Sequence, residues 1–148
     1  MTPPDPDYAA RVRASFARQG FMALLGACLD DVSPGRCRIV VPYRPELSQQ
    51  HGFFHGGVIG TVADNCAGYA AFTMAPADAS ILTVEYKLNI VAPGRGDRLE
   101  GEGRVVRAGR RLVVCETEIF ALAGDVRTLC AVSLGTLMLL PGRSDGPG

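Results

Sequence analysis

QQHGFFHGGVIGTVADNCAGYAAF, residues Gln49 to Phe72, changes character part-way along. Up to His55-Gly56-Gly57 it is broken by glycine and holds no regular pattern. From there Val58, Ile59, Val62, Ala63, Cys66, Ala67, Ala70 and Ala71 recur at helical spacing. Small residues fill the remaining faces, so this helix is expected to be buried nearly all round. Asp64 stands in the middle of that apolar run, where an acid is seldom buried without a partner or a task. Gly56 and Gly57 fit the helix start, where they let a ligand or another backbone come close.

Downstream of this helix, which Pro76 stops, the period changes to two. Leu82, Val84, Tyr86, Leu88 and Ile90 are expected on one face of a strand, with Thr83, Glu85, Lys87 and Asn89 on the other. Pro93-Gly94 turns the chain. Three more strands are expected at about 98–107, 111–122 and 126–139, joined through Ala108-Gly109-Arg110 and Gly124-Asp125. Upstream, a short helix over about 7–19 is capped by Asp5 or Asp7 and ended by Gly20. It puts Tyr8, Val12 and Phe16 on one face and Arg11, Arg13 and Arg18 toward water. Phe21 to Asp31 reads as a strand, paired through the Ser33-Pro34-Gly35 turn with Arg36 to Tyr43. The tail over 141–148 is rich in Pro and Gly and is expected to fray. Hairpin-length connections make the sheet antiparallel. A single helix that is apolar all round needs a sheet curled about it, so the expectation is one α+β domain over all 148 residues.

Lys+Arg and Asp+Glu are 15 each, for a formal net charge of +0. That balance offers no basic field for nucleic acid and no charge directed at a membrane. No apolar run reaches membrane-spanning length, and the first twenty residues carry no apolar segment of the kind a signal peptide needs. The five cysteines, Cys28, Cys37, Cys66, Cys115 and Cys130, form no CxxC pair. Free thiols in a reducing cytoplasm are the expectation.

The order of elements resembles the hotdog fold, and one motif narrows the resemblance. Hotdog acyl-CoA thioesterases of the phenylacetate-degradation, PaaI-like, type carry N-x-x-G-x-x-H-G-G with an acid nine residues after the His. Here the same spacing reads Gln49-x-x-Gly52-x-x-His55-Gly56-Gly57, then Asp64. That family also has a Ser or Thr opening the strand after the helix and a Pro about ten residues on, which Thr83 and Pro93 match. Gln49 departs from the family's Asn; it still offers an amide donor, one methylene further out.

The resemblance implies a thioester hydrolase that needs no metal and no organic cofactor, working as a homodimer or homotetramer with shared active sites. Its substrate would be an acyl-CoA, split to a free acid and CoA. Water must attack the thioester carbonyl, so the site needs a base and donors for the oxyanion. Backbone N–H groups at a helix start are unpaired and carry a partial positive charge. Gly56 can present its N–H with no side chain in the way. Asp64 would be the general base or a nucleophile. His55 would fix the glycine turn or bond near the carbonyl, and Thr83 could hold the attacking water. Gly57, Phe54, Tyr69 and Phe72, with Phe53, are candidate pocket residues, although the aromatics also suit a core. Gly56 and Asp64 are eight residues apart, about 12 Å along a helix. One thioester cannot meet both within a single chain, so Asp64 of one subunit is expected beside Gly56 of another.

Other readings weigh less. His51 and His55 with Asp64 or Cys66 have no fixed helical pairing for a metal. Cys66 suits a small core residue better than a nucleophile. Arg104, Arg107, Arg110 and Arg111 suit a solvated hairpin face as well as CoA phosphates. An enoyl-thioester hydratase would need a His/acid pair beyond the glycine turn. A non-catalytic acyl-CoA sensor would have no use for Asp64.

Overall fold

The computed structural model describes residues 1–143 and 145–146. Two short helices, α1 (Tyr8–Ala17) and α2 (Gly20–Leu25), lead into a hairpin of β1 (Cys28–Ser33) and β2 (Arg36–Pro42). A 3-10 turn at Pro45–Leu47 and an irregular loop bring the chain to α3 (Gly56–Phe72). β3 (Ala79–Ile90), β4 (Arg98–Ala108), β5 (Leu112–Ala123) and β6 (Val126–Pro141) follow. The six strands form one antiparallel sheet in the order β1-β2-β4-β5-β6-β3. This is the α+β hotdog arrangement, the sheet curved around α3.

Val62, Ala63, Cys66 and Ala70 of α3 are fully buried against Ile39, Leu99, Val113, Ile119 and Leu137 of the sheet. Contact is closest at β4. A Cβ on Gly103 would overlap the Cys66 carbonyl, and one on Gly101 would lie 2.5 Å from Val62 Cγ1 and 2.7 Å from Cys66 Sγ. The sheet thus rests on the helix backbone, which only glycine permits. Gly103→Ala should lower the unfolding free energy by about 1–3 kcal/mol, the usual cost of an overpacked core. Urea denaturation measures it.

Two expectations about the N-terminal region need correction. Phe21 to Leu25 is helical rather than the beginning of a strand; Gly20 opens α2 and Gly26, at φ 67°, ends it. A short apolar run without alternation fits either element. Arg11 does not face water. Its guanidinium donates to the carbonyls of Pro76 (2.8 Å), Ala79 (3.2 Å) and Ala75 (2.8 Å), pairs with Asp5 at 2.9 Å, and stacks 4.4 Å from the Phe72 ring centroid. The carbonyls beyond the end of α3 need donors, and α1 supplies one. Asp7 occupies the N-cap position of α1 without a side-chain bond; the Asp5 carboxylate accepts the Asp7 N–H instead.

The third correction bears on the site. β3 carries a bulge at Val84: Thr83 pairs with Leu137 of β6, but Glu85 pairs with Thr136. An extra residue flips the alternation. Ile81 and Thr83 face α3 on one side of the bulge, and Tyr86, Leu88 and Ile90 face it on the other, with Gly60 meeting Tyr86 and Leu88. Leu82 and Val84 are therefore turned out, 59% and 53% exposed. At the tail, Pro141 closes β6, and the Asp145 carboxylate accepts from Arg18 at 2.7 Å. Ser144, Pro147 and Gly148, within the stretch expected to fray, lie outside the described residues. Among the described residues no helix is long and apolar enough to cross a membrane.

Candidate active site

The loop before α3 is pinned from both sides. His55 N–H donates to the Leu47 carbonyl at 2.8 Å and Phe54 N–H to the Gly94 carbonyl at 2.9 Å. Gly52, at φ 78°, makes the tight turn before them, its N–H donating to the Gln49 carbonyl at 2.9 Å. His55 is the N-cap of α3: its Nδ1 accepts the Gly57 N–H at 2.9 Å, and its carbonyl takes Val58 (2.9 Å) and Ile59 (3.2 Å). Nδ1 acts as an acceptor here, so the ring proton belongs on Nε2. These bonds use the first-turn donors one by one. Gly56 N–H is left with no partner among the described residues.

That free N–H belongs to a residue lining a cavity of about 470 Å³, shared with Gln49, Phe53, Ile59 and the 90–94 turn. A Cβ on Gly56 would sit 3.3 Å from Ile90 Cδ1, which places the helix start against the end of β3. Gln49 Oε1 accepts the His51 N–H, so its amide NH₂ remains available toward the cavity. Gln49 and Gly56 together can offer two donors to one oxygen.

Two turns further along α3, Asp64 is half-buried. Thr83 Oγ1 donates to Asp64 Oδ1 at 2.7 Å, a contact the bulge at Val84 makes possible. Asp64 Oδ2 has no hydrogen-bond partner among the described residues and can accept from water. Both residues line a second cavity, of about 170 Å³, with Tyr69 and Phe72. The Tyr69 hydroxyl accepts from Gln19 Nε2 at 2.6 Å and lies 3.3 Å from Ser15 Oγ. Burial raises the pKa of this phenol, holding it protonated.

The candidate residues thus fall into two groups. Gln49, His55 and Gly56 stand at the start of α3; Asp64, Thr83, Tyr69 and Phe72 stand lower on the helix, and the two cavities share no residue. Gly57 is spent on the His55 ring. Phe54 lines the cavity beside Gly56 while packing into the core, 2% exposed, with its ring edge-on to Tyr43. A wider groove of about 730 Å³ runs from His55 and Gly57 over Leu47 to Phe21 and Leu24, but touches neither Gly56 nor Asp64. Cys66 is fully buried and its thiol is pushed well up by burial, while Cys115 is pushed to about 12 and Cys130 to about 11. None of these is a thiolate nucleophile. His51 lies on the exposed turn beside Gln50. Ser15 and Gln19 carry no local signal in the sequence; only the docking of the N-terminal helices brings them to Tyr69.

The thioesterase superfamily matches the chain over residues 51–128, more than half its length. A Halobacterium salinarum protein named as a candidate esterase is 31% identical over 125 residues, which is 80% of this chain and 82% of the relative. A thioesterase family protein from Silicibacter pomeroyi is 44% identical, with a TM-score of 0.90 over 91% of this chain and 99% of that one. The PaaI protein of the E. coli phenylacetic acid degradation operon superposes with a TM-score of 0.82 over 92% of this chain and 95% of its own. At 18% identity that likeness speaks for the fold alone. The chain belongs to the thioesterase superfamily and has its hotdog fold. It is a thioester hydrolase.

Proposed function

We propose that the protein is a PaaI-like acyl-CoA thioesterase whose active site is completed across a homodimer. One observation carries this reading: the two half-sites sit at opposite ends of the same unpaired edge strand. Among the described residues β3 bonds only to β6, and its other edge is open. Gly56 lies against Ile90 at one end and Asp64 is bonded to Thr83 toward the other. A two-fold axis near Tyr86 would pair β3 antiparallel with its copy. Ile90 and Gly56 would then meet Thr83 and Asp64 of the partner subunit. Exposed Leu82, Val84, Tyr86 and Ile90 give that edge an apolar character unusual for a lone strand.

In such a site the thioester oxygen rests on the Gly56 N–H and the Gln49 amide. Asp64 of the partner subunit takes a proton from water, and the hydroxide oxygen bonds to the carbonyl carbon. The tetrahedral oxyanion is held by the helix start. Its collapse breaks the C–S bond, and the thiolate of CoA leaves with the proton held on Asp64. Thr83 fixes the carboxylate, and His55 fixes the glycine turn. No step calls for a cofactor.

Two such dimers pairing through exposed outer residues such as Leu112 and Leu134 would make the tetramer. Buried, unpaired Cys37, Cys66, Cys115 and Cys130 suit the cytoplasm. Thiol release from a panel of acyl-CoAs, run beside light scattering, tests the proposal. Turnover by a dimer or larger assembly is expected. A stable, fully active monomer would rule out the shared site; tight acyl-CoA binding without thiol release would favour a sensor.

A further inference from the structure

The hairpin joining β4 to β5 carries Arg104, Arg107, Arg110 and Arg111, with no acid between Glu102 and Glu116. Most arginines of the sheet are matched: Arg38 pairs with Asp30, Arg98 with Glu100, Arg127 with Glu102 and Arg104 with Glu116. Arg107, Arg110 and Arg111 are exposed and have no carboxylate partner among the described residues. On a chain of net charge +0 they make a local positive excess. The tip that carries them is held to the sheet. Gly109 N–H donates to the Leu112 carbonyl at 2.8 Å, and the Arg111 carbonyl accepts the Leu139 N–H at 2.9 Å. The strand register sets how far this excess lies from Asp64. Leu82 of β3 pairs with Met138 of β6, which pairs with Leu112 of β5. Neighbouring strands lie about 4.8 Å apart, so Leu112, next to Arg111, is about 10 Å from Leu82, next to Thr83. Thr83 in turn bonds Asp64 at 2.7 Å. An extended pantetheine arm carries the first phosphate of CoA about 15 Å from the thioester sulfur, at ordinary bond lengths. The hairpin stands within that reach, and exposed Leu82 and Leu112 give the way to it an apolar floor. One chain supplies both Asp64 and the hairpin, so the distance does not depend on how subunits pair.

Resting on the reading of Asp64 as base, we propose that Arg107, Arg110 and Arg111 form a phosphate site for the nucleotide end of an acyl-CoA. A guanidinium presents paired N–H donors that match phosphate oxygens. The pyrophosphate and the 3′-phosphate of CoA supply such oxygens; a bare pantetheine thioester has none. The hairpin therefore reads the carrier half of the substrate and takes no part in bond breaking. Its contribution belongs in KM, and it weakens as salt screens the charges.

The test compares one acyl group on three carriers: CoA, 3′-dephospho-CoA and pantetheine. The parent protein should favour CoA over pantetheine by about tenfold or more in kcat/KM, with dephospho-CoA between them. A variant combining Arg107→Gln, Arg110→Gln and Arg111→Gln alters exposed residues only and should fold. It should lose that preference through KM at unchanged kcat, and should treat the pantetheine thioester as the parent does. Arg13→Gln, which removes an exposed charge from α1, should leave the preference intact. Calorimetric titration with desulfo-CoA should show the same loss of affinity in the triple variant. A triple variant with the parent KM for the CoA thioester overturns the hairpin site and leaves Asp64 as base. An equal loss on CoA and pantetheine thioesters overturns it too, since the arginines would then be acting on the fold. The expected carrier preference and its loss, with Asp64→Asn turnover at the parent rate, uphold the hairpin site and overturn the base.

Discussion

Asp64→Asn should give a folded protein that binds acyl-CoA and hydrolyses it about 10²–10⁴ times more slowly, the usual share of a general base. The fold should survive for two reasons. The amide oxygen of Asn can still accept the Thr83 hydroxyl that Asp64 Oδ1 accepts at 2.7 Å. A half-buried neutral amide also costs less than a half-buried charge. The oxygen that matters is Oδ2, which has no partner among the described residues. In Asn that position becomes an NH₂, which donates where a base must accept. Binding should persist because the helix start and the cavity beside it are unchanged. A well-folded variant working at the parent rate would remove Asp64 from the chemistry, as base and as nucleophile alike. A large loss of stability with normal turnover would make it a structural acid held by Thr83.

Much of this arrangement is legible in the sequence because its strongest signals are local. The helical spacing from Val58 to Ala71 and the glycine pair before it place the start of α3, since a helix start needs little beyond a cap and a run of apolar positions; its end, at Phe72, comes before the Pro76 expected to stop it. β4, β5 and β6 fall within a residue or two of expectation because glycine turns bracket them. What periodicity does not reveal is a change of phase. The alternation from Leu82 to Ile90 reads as one uninterrupted strand, yet one extra residue at Val84 moves Thr83 to the face of Tyr86 and Leu88. The pairing partner β6 imposes that bulge, and β6 is some fifty residues away in the chain. Arg11 is a similar case. An arginine on an amphipathic helix looks solvated until the carbonyls beyond α3 arrive beside it. Ser15 and Gln19 belong to the same class, because tertiary docking alone gives them a role.

Gly56→Val and Asp64→Asn, each nearly inactive alone, should recover activity when unfolded together and refolded as a mixture. Gly56 has no positive φ, so its backbone accepts a side chain, and the valine variant should fold. Its Cβ would already press on Ile90 Cδ1 at 3.3 Å, and the added methyls would fill the space before the free N–H. Loss of one oxyanion donor costs about 10²–10³ in rate, and blocked approach adds to it. In a mixed dimer the two lesions separate. One site would join the blocked helix start of the Gly56→Val chain to the amide of the Asp64→Asn chain and be dead twice over. The other would join an intact Gly56 to an intact Asp64. Random pairing in a two-fold dimer makes half the dimers mixed, each with one good site of two, so about a quarter of the parent activity should return. Sites built within single chains would return nothing on mixing, since no chain in the mixture carries both groups. The recovered fraction therefore reads the geometry directly: a quarter requires that Gly56 and Asp64 meet across the subunit boundary, and zero requires that they do not.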